Sequence, residues 1–312
     1  MSLLLIGSLD DAEYADWRRH LLTHLPQGES LALATEPHDP MAIDVALVAN
    51  PPAGALAAYP NLRFIQSLWA GVDRLLADSA LPRGLPIARL IDPALAQAMV
   101  ECALAAVLLL HRQLPAYAAQ QARAEWRQLP QPLAVQRPVG VLGLGALGGA
   151  VARALAGLGF PVVGWSRSPR GLPGLRCCSG ADGMRAVLER AEILVNLLPL
   201  TPQTDGVLDA AALARLPRGA GLVNLARGSH VVEADLLAAL DEGQVGHAVL
   251  DVFRAEPLPP AHPFWRHPRV TVLPHVAAYS EPVSAARIAL ANVAAFRAGR
   301  TPDALIDPAR GY

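Results

Sequence analysis

The sequence contains no lysine, so all 26 of its basic residues are arginine. This absence excludes catalysis through a lysine Schiff base and a phosphate-binding P-loop, since both require the lysine amine. Cysteine is scarce as well: the chain has Cys102, Cys177 and Cys178, and the last two are adjacent. Such an arrangement suits neither a disulfide framework nor a zinc site, so we expect a reduced, cytoplasmic protein without a metal.

Charged residues make up only 17% of the 312-residue chain, and the formal net charge is −1. A chain so close to neutrality lacks the electrostatic footprint of a nucleic-acid-binding protein. The most apolar helical segment, 92–112, contains Gln97 and Glu101, and its uninterrupted apolar run is far shorter than the ~20 residues of a membrane span. We therefore expect about two globular domains without nucleic-acid or membrane partners.

Residues 138–167 follow the pattern strand, glycine-rich turn, helix, strand, which is typical of a dinucleotide-binding unit. In such a turn Gly143 permits the tight bend, Gly145 lets the backbone approach a pyrophosphate, and Gly148 lets helix and strand pack closely. The pyrophosphate would lie at the helix N-terminus, where N–H groups and the helix dipole favour negative charge. The alternative is an ordinary glycine-rich turn between strand and helix.

Apolar runs alternate with helical patterns along the rest of the chain, which predicts an α/β fold with doubly wound parallel sheets. The predicted strands are 3–6, 42–49, 63–67, 139–142, 161–165, 193–198, 222–225, 248–250 and 270–273. The predicted helices outside the glycine-rich unit are 12–25, 92–112, 183–190, 210–216, 233–242 and 282–298. The stretch 113–137, rich in Gln, Ala and Pro, is interpreted as a connecting segment and a candidate dimer contact.

Ligands of open α/β sheets bind beyond the carboxyl ends of the strands, and this rule selects three side chains. Arg227, Asp251 and His275 each follow a predicted strand, and Glu256 lies in the loop before the last strand. Histidine readily gives and takes a proton at neutral pH, and a neighbouring carboxylate would favour its charged form. Three of these residues also have a simpler interpretation: Arg227 in a loop ion pair, Glu256 as a solvated acid, and His275 as a packing residue. The other eight histidines are interpreted as surface or loop residues.

Several segments in the same order resemble the D-isomer-specific 2-hydroxyacid dehydrogenases, in particular those of the glyoxylate/hydroxypyruvate reductase A type. The segments are LWAGVD (68–73), GLGALG (143–148), NLARGSHVVEADLLAAL (224–240), LDVFRAEPLP (250–259), HPFW (262–265) and LPHVAA (273–278). Val232 departs from the pattern, because many relatives have aspartate there. The resemblance implies two Rossmann-like or flavodoxin-like domains with a cleft between them. The substrate-binding domain would comprise 1–97 and 280–312, and the dinucleotide-binding domain 98–279.

The resemblance also implies roles for individual residues. Arg227 would bind the substrate carboxylate and carbonyl oxygen, His275 would be the general acid/base, and Glu256 would pair with His275. The implied substrate-binding residues beside Arg227 are Trp69, Ala70, Gly71 and Val72, although the pattern alone fits an ordinary loop between strand and helix. The implied cofactor-binding residues are Gly143, Gly145, Ala146, Leu147, Gly148, Ser166, Arg167, Arg170, Leu198, Pro199, Ala226 and Asp251, the last contacting the nicotinamide carboxamide.

The end of the second strand of the glycine-rich unit predicts the cofactor. An NAD site normally has an acidic residue there for the ribose 2′-hydroxyl, but this chain has Ser166, Arg167 and Arg170. Arginine can pair with a 2′-phosphate, so we expect NADP(H), with NAD(H) as a second option, and hence a reductase. The resemblance implies that the substrate is a small 2-oxo acid and that the protein is a homodimer. A solvated Arg167 is the alternative for that residue. For the whole chain, the alternatives are a nucleotide-gated interaction protein resembling the C-terminal-binding corepressors, and an oxidative phosphoglycerate dehydrogenase.

Overall fold

The computed structural model describes residues 2–307 and residue 311. The strands are β1 (Ser2–Gly7), β2 (Ser30–Leu33), β3 (Ile43–Ala49), β4 (Phe64–Ser67), β5 (Ile87–Ala88), β6 (Val139–Leu142), β7 (Val162–Ser166), β8 (Arg176–Ser179), β9 (Ile193–Asn196), β10 (Ala220–Asn224), β11 (Val245–Leu250) and β12 (Val270–Val272). The helices are α1 (Asp11–His24), α2 (Asp73–Leu76), α3 (Pro93–His111), α4 (Leu114–Ala122), α5 (Ala146–Gly157), α6 (Gly180–Leu188), α7 (Ala210–Ala214), α8 (Glu233–Asp241) and α9 (Pro282–Arg297).

The chain forms two compact units. The first combines Met1–Leu95 with Ser280–Tyr312, and the second is the continuous segment Ala96–Tyr279. Each unit contains one parallel sheet, which agrees with the predicted α/β fold class. The assignment of substrate binding to the first unit and dinucleotide binding to the second stays a prediction.

The sheet of the first unit has the strand order β2-β1-β3-β4-β5. Successive side chains of β1 point to opposite faces, as the two-residue period of a strand requires. Leu3 and Leu5 are buried on the face covered by α1 and α9, whereas Leu4 and Ile6 are buried on the other face. Because both faces of the sheet are covered, β1 and β3 are largely apolar and all residues of β3 and β4 are buried.

Helix α9 packs on this sheet and is hydrogen-bonded to it. Its Asn292 donates to Gln66 of β4 at 2.9 Å, and both side chains are buried. At its last turn, Arg297 bonds Glu29 through Nε (2.8 Å) and Asp44 through both terminal nitrogens, with all three side chains largely buried. The hydrogen bond with Asp44 raises the pKa of Arg297 above its ordinary value. One guanidinium therefore neutralises two carboxylates from the opposite end of the sequence.

The sheet of the second unit has the order β12-β11-β10-β9-β6-β7-β8, and all its strands are parallel. The strand order reverses at β6, which pairs with β7 on one side and with β9 on the other. A reversal of this kind leaves a crevice at the carboxyl ends of the two central strands, where open α/β sheets bind ligands.

Helix α3 begins as the sequence predicts. Asp92 accepts from the N–H of Ala94 at 2.8 Å and so caps the helix. By length and composition alone α3 could cross a membrane, but one of its faces is buried in the core of the second unit, through Met99, Ala103, Ala106, Val107 and Leu110. The helix is thus part of the protein core.

The connecting segment 113–137, for which no helix is predicted, contains helix α4 at Leu114–Ala122. Gln113 adopts the left-handed conformation (φ 58°), which ends α3 and redirects the chain. Pro115 then lies in the first turn of α4, where a missing N–H costs nothing. A proline that looks like a helix terminator in the sequence therefore marks the start of the next helix.

Candidate active site

The glycine turn after β6 is tightly packed at two of its glycines and open at the third. Gly143 has φ 92°, and a Cβ there would lie 2.5 Å from the carbonyl oxygen of Leu197. A Cβ on Gly148 would lie 1.7 Å from the carbonyl oxygen of Gly143, whereas no atom lies within 4 Å of the Cβ position of Gly145. Helix α5 follows at once, and Gly145 offers no side chain to cap its first N–H groups. The turn thus leaves room for an anionic group at the helix N-terminus.

The predicted cationic residues lie after β7, next to this turn. Arg170 donates through Nη1 to the carbonyl oxygen of Leu144 at 2.7 Å, which fixes its guanidinium against the glycine turn. Ser166 donates to the carbonyl oxygen of Ser168 at 2.8 Å, and Arg167 is exposed. Segment 166–170 therefore presents positive charge beside the glycines and carries no acidic residue.

Arg227 follows β10 in a turn that the neighbouring loop holds closely. The side-chain amide of Asn224 donates to the backbone oxygen of Arg227 at 3.0 Å, and Arg227 donates to the oxygen of Ala226 at 2.7 Å. A Cβ on Gly228 would lie 1.9 Å from the carbonyl carbon of Phe253, so only glycine fits there. The loop after β11, which carries Glu256, thus packs directly on the turn that carries Arg227.

His275 and Glu256 form a hydrogen-bonded pair. Nδ1 of His275 lies 2.8 Å from Oε2 of Glu256, whose Oε1 accepts from the N–H of Phe253 at 2.9 Å. The His275 side chain is 49% exposed and that of Glu256 only 20%. Because Nδ1 faces the carboxylate, Nε2 is the nitrogen left to exchange a proton with a ligand.

The backbone at His275 is left-handed (φ 57°), a conformation that costs a non-glycine residue roughly 1–3 kcal/mol. Asp251 stabilises this left-handed turn, because the carboxylate oxygens of Asp251 accept from the N–H groups of Val276 (2.7 Å) and Ala277 (3.0 Å). Burial raises the pKa of Asp251, which is 1% exposed, while these two hydrogen bonds oppose the rise. In the structure Asp251 holds the His275 turn, and its predicted contact with a nicotinamide stays a prediction.

The segment Trp69 to Val72 lies in the first unit, directly after β4. The hydroxyl of Ser67 accepts from the N–H of Trp69 at 3.0 Å, and the backbone oxygen of Trp69 accepts from Leu90 at 3.0 Å. The indole packs edge-on against Trp17, with 6.0 Å between ring centroids. Its buried Nε1–H has no hydrogen-bond partner among the described residues. The role of this segment in substrate binding stays a prediction.

The interpretation of the other histidines as surface or loop residues is wrong for His111, whereas His230 lies in a loop but is not at the surface. His111 in α3 is 4% exposed, and His230, three residues after Arg227, is fully buried. His230 contacts Asn196 at the end of β9, and Asn196 contacts Asn224 at the end of β10. Sequence reasoning missed these residues, although two apolar strands that both end in asparagine at the same edge of a sheet are a usable signal.

The chain is similar to known proteins along most of its length. The model of the D-isomer specific 2-hydroxyacid dehydrogenase NAD-binding domain matches residues 104–277. Glyoxylate/hydroxypyruvate reductase A of Serratia proteamaculans is 44% identical over 302 residues, which cover 95% of this chain and 96% of that protein.

Two solved structures are similar over the whole chain. A D-isomer specific 2-hydroxyacid dehydrogenase from Xanthobacter autotrophicus in complex with NADPH and MES has 41% identity and a TM-score of 0.94. The match covers 100% of this chain and 99% of the dehydrogenase chain. An NADPH-dependent glyoxylate/hydroxypyruvate reductase from Sinorhizobium meliloti in complex with NADP and sulfate has 36% identity, a TM-score of 0.93 and the same coverage. The chain therefore belongs to the D-isomer-specific 2-hydroxyacid dehydrogenases, a family of NAD(P)-dependent oxidoreductases.

Proposed function

We propose that this protein is an NADPH-dependent reductase that converts glyoxylate, hydroxypyruvate or a similar small 2-oxo acid to the D-2-hydroxy acid in the cytoplasm. The observation that carries the proposal is the His275–Glu256 pair, at the same edge of the sheet as Arg227 and the glycine turn. The names of the similar reductases support the substrate class and give no support to a corepressor-like role.

The residues after β6 and β7 suit a phosphorylated dinucleotide. The open space at Gly145, the uncapped start of α5 and the guanidinium of Arg170 all favour phosphate groups. We assign the pyrophosphate to Gly143–Gly148, with Ala146 and Leu147 at the helix start, and the 2′-phosphate to Ser166, Arg167 and Arg170. Leu198, Pro199, Ala226 and Asp251 would border the rest of the cofactor. When bound, NADPH supplies the hydride for the carbonyl carbon.

The chain's own side chains would bind the substrate and supply the proton. The planar guanidinium of Arg227 suits a carboxylate and the adjacent carbonyl oxygen, and it stabilises negative charge that develops on that oxygen. His275 would donate the proton on Nε2 to the same oxygen, while Glu256 fixes the ring through Nδ1. We also assign binding of the substrate carboxylate to the backbone N–H groups of Ala70, Gly71 and Val72, with Trp69 beside them.

The activity is tested by following NADPH oxidation with purified protein against glyoxylate, hydroxypyruvate, pyruvate and phenylpyruvate, each repeated with NADH. We expect turnover of the small 2-oxo acids, more efficient with NADPH than with NADH. The product should be the D-enantiomer wherever the carbon is chiral. Absence of turnover with every substrate would contradict the proposal.

Replacing Arg167 by aspartate should shift the cofactor preference toward NADH. A charge-assisted hydrogen bond is worth about 1.5–3 kcal/mol, so the ratio of kcat/KM for NADPH to that for NADH should fall at least tenfold. The matched control is Arg176→Asp, the same charge change at the start of β8. An unchanged ratio in the Arg167 variant, or an equal fall in both variants, would contradict the assignment.

We further propose that the protein is a homodimer that uses the region 113–137. Large apolar side chains are exposed there, including Leu114 (52%), Trp126 (97%) and Leu133 (67%). Clusters of this kind mark protein contacts. Sedimentation should show a dimer for the wild type and more monomer for Leu133→Gln, whereas Leu22→Gln, on α1 with 49% exposure, should leave the dimer intact. A monomeric wild type would contradict the proposal.

A further inference from the structure

Three buried polar side chains lie between the strand ends that carry the proposed cofactor and substrate sites. Asn196 ends β9, Asn224 ends β10, and His230 lies in the short turn after Arg227; all three are at most 1% exposed. Buried polar groups are costly unless they are hydrogen-bonded, and a fully bonded network is correspondingly rigid. The contacts of this Asn196–Asn224–His230 network show which backbone segments it fixes.

The hydrogen bonds of Asn196 define the protonation of His230. The amide nitrogen of Asn196 donates to Oδ1 of Asn224 (2.9 Å) and to Nδ1 of His230 (3.0 Å). Since Nδ1 accepts, the imidazole hydrogen is on Nε2, which donates to the backbone oxygen of Pro199 at 3.3 Å. The oxygen of Asn196 accepts from the N–H of Leu198 at 3.3 Å. Both amide hydrogens of Asn196 and both ring nitrogens of His230 therefore have partners.

One side of the network fixes the segment after β9. Leu198 and Pro199 are both bonded to it, and the same segment packs on the glycine turn. A Cβ on Gly143 would lie 2.5 Å from the oxygen of Leu197 and 3.0 Å from the nitrogen of Leu198. A displacement of Leu198 and Pro199 would therefore change the surface that the glycine turn presents to a dinucleotide.

The other side of the network fixes the turn that carries Arg227. Asn224 accepts from the N–H of Ala226 at 3.3 Å and donates to the backbone oxygen of Arg227 at 3.0 Å. His230 follows in the same turn, so the turn is held before and after the arginine. The backbone of Arg227 is thereby coupled to Leu198 and Pro199 through three side chains.

We propose that Asn196, Asn224 and His230 are positioning residues that align the guanidinium of Arg227 with the dinucleotide, a role that rests on the proposed function. A misplacement of about 1 Å at a reacting centre can cost about 10²-fold in rate, so a rigid link between the two binding segments has a direct catalytic value. A network that only stabilised the fold would lower the unfolding temperature of its variants without this selective effect.

The test replaces His230 by phenylalanine, which keeps the ring and removes its hydrogen bonds. Compared with wild type, kcat/KM for the 2-oxo acid should fall about 10- to 10²-fold, and the Kd of NADPH should rise several-fold. His230→Gln can accept from Asn196 and donate to Pro199. It should therefore restore most of the lost kcat/KM and most of the lost affinity for NADPH. The matched control is His111→Phe, at a buried histidine that packs edge-on against Phe160 and whose Nδ1 has no partner among the described residues. It should change neither constant beyond twofold.

The inference would be overturned if folded His230→Phe kept kcat/KM within twofold of wild type, or if His111→Phe lost as much activity. If His230→Phe does not fold, nitrogen NMR of the wild type decides: a hydrogen on Nδ1 of His230 overturns the network, and one on Nε2 supports it. If the wild type reduces no 2-oxo acid, the proposed function fails. The Kd of NADPH for wild type and variants then still tests the link to Leu198 and Pro199.

Discussion

Replacing His275 by glutamine is expected to lower kcat about 10²- to 10⁴-fold, because general acid catalysis typically contributes a factor of this size. Glutamine keeps a polar side chain of similar length, but it cannot deliver a proton to the carbonyl oxygen. Asp251 should still hold the turn through the N–H groups of Val276 and Ala277. The Kd of NADPH should therefore change little, and steady-state kinetics together with cofactor titration would separate the two effects.

His267 provides the control for this experiment. It lies before β12, whereas His275 follows the same strand, and its ring pairs with Asp241 away from the proposed site. His267→Gln should keep kcat within about twofold, since substitutions away from a site have small effects. A His275→Gln enzyme with near wild-type kcat would show that another group supplies the proton.

The second large effect is on stability. Arg297→Leu leaves the carboxylates of Glu29 and Asp44 buried without their shared cation. Breaking a buried ion pair by removing one partner typically costs about 3–5 kcal/mol, because the charge that stays behind is no longer compensated. We expect a loss of this size in the free energy of unfolding of the first unit, measured by denaturant titration. Adding Asp44→Asn and Glu29→Gln should recover part of it.

Arg18→Leu is the comparison for Arg297→Leu. Arg18 pairs with Glu36 at 3.0 Å in the same unit, but both side chains are about half exposed. Exposed pairs contribute about 0.2–1 kcal/mol, so this variant should be nearly as stable as wild type. Equal losses of unfolding free energy in the two variants would show that burial does not determine how much the Arg297 cluster stabilises the fold.

The position of the candidate site could be predicted from the sequence because ligand binding at the carboxyl ends of parallel strands depends only on the topology of the sheet. In a parallel sheet the carboxyl ends of all strands lie at one edge, so a residue that follows a strand is placed once the strand is recognised. Arg227, Asp251 and His275 follow β10, β11 and β12 in this way. Helix α9 was equally predictable, since proline marks its start and its apolar residues recur at helical spacing.

Other features depend on tertiary contacts that no local pattern reveals. His230 is buried because the chain after β9 folds over it, and nothing in its neighbouring residues indicates this. Helix α4 has only nine residues, follows a left-handed Gln113 and is rich in glutamine and alanine, so its periodicity is weak. β8 is a half-buried edge strand, and its adjacent cysteines point to opposite faces.

The discontinuity of the first unit has a consequence for biosynthesis. A ribosome delivers β1 to β5 first, but α9, which covers one face of their sheet with Ala285, Ala289 and Val293, emerges only after the whole of 96–279. Residues 96–279 form a contiguous unit and can fold on the ribosome before the earlier segment is complete. The first unit therefore leaves an apolar face of its sheet uncovered while 96–279 is synthesised, and the second unit can complete its fold first, in contrast to the usual N-terminal-first order.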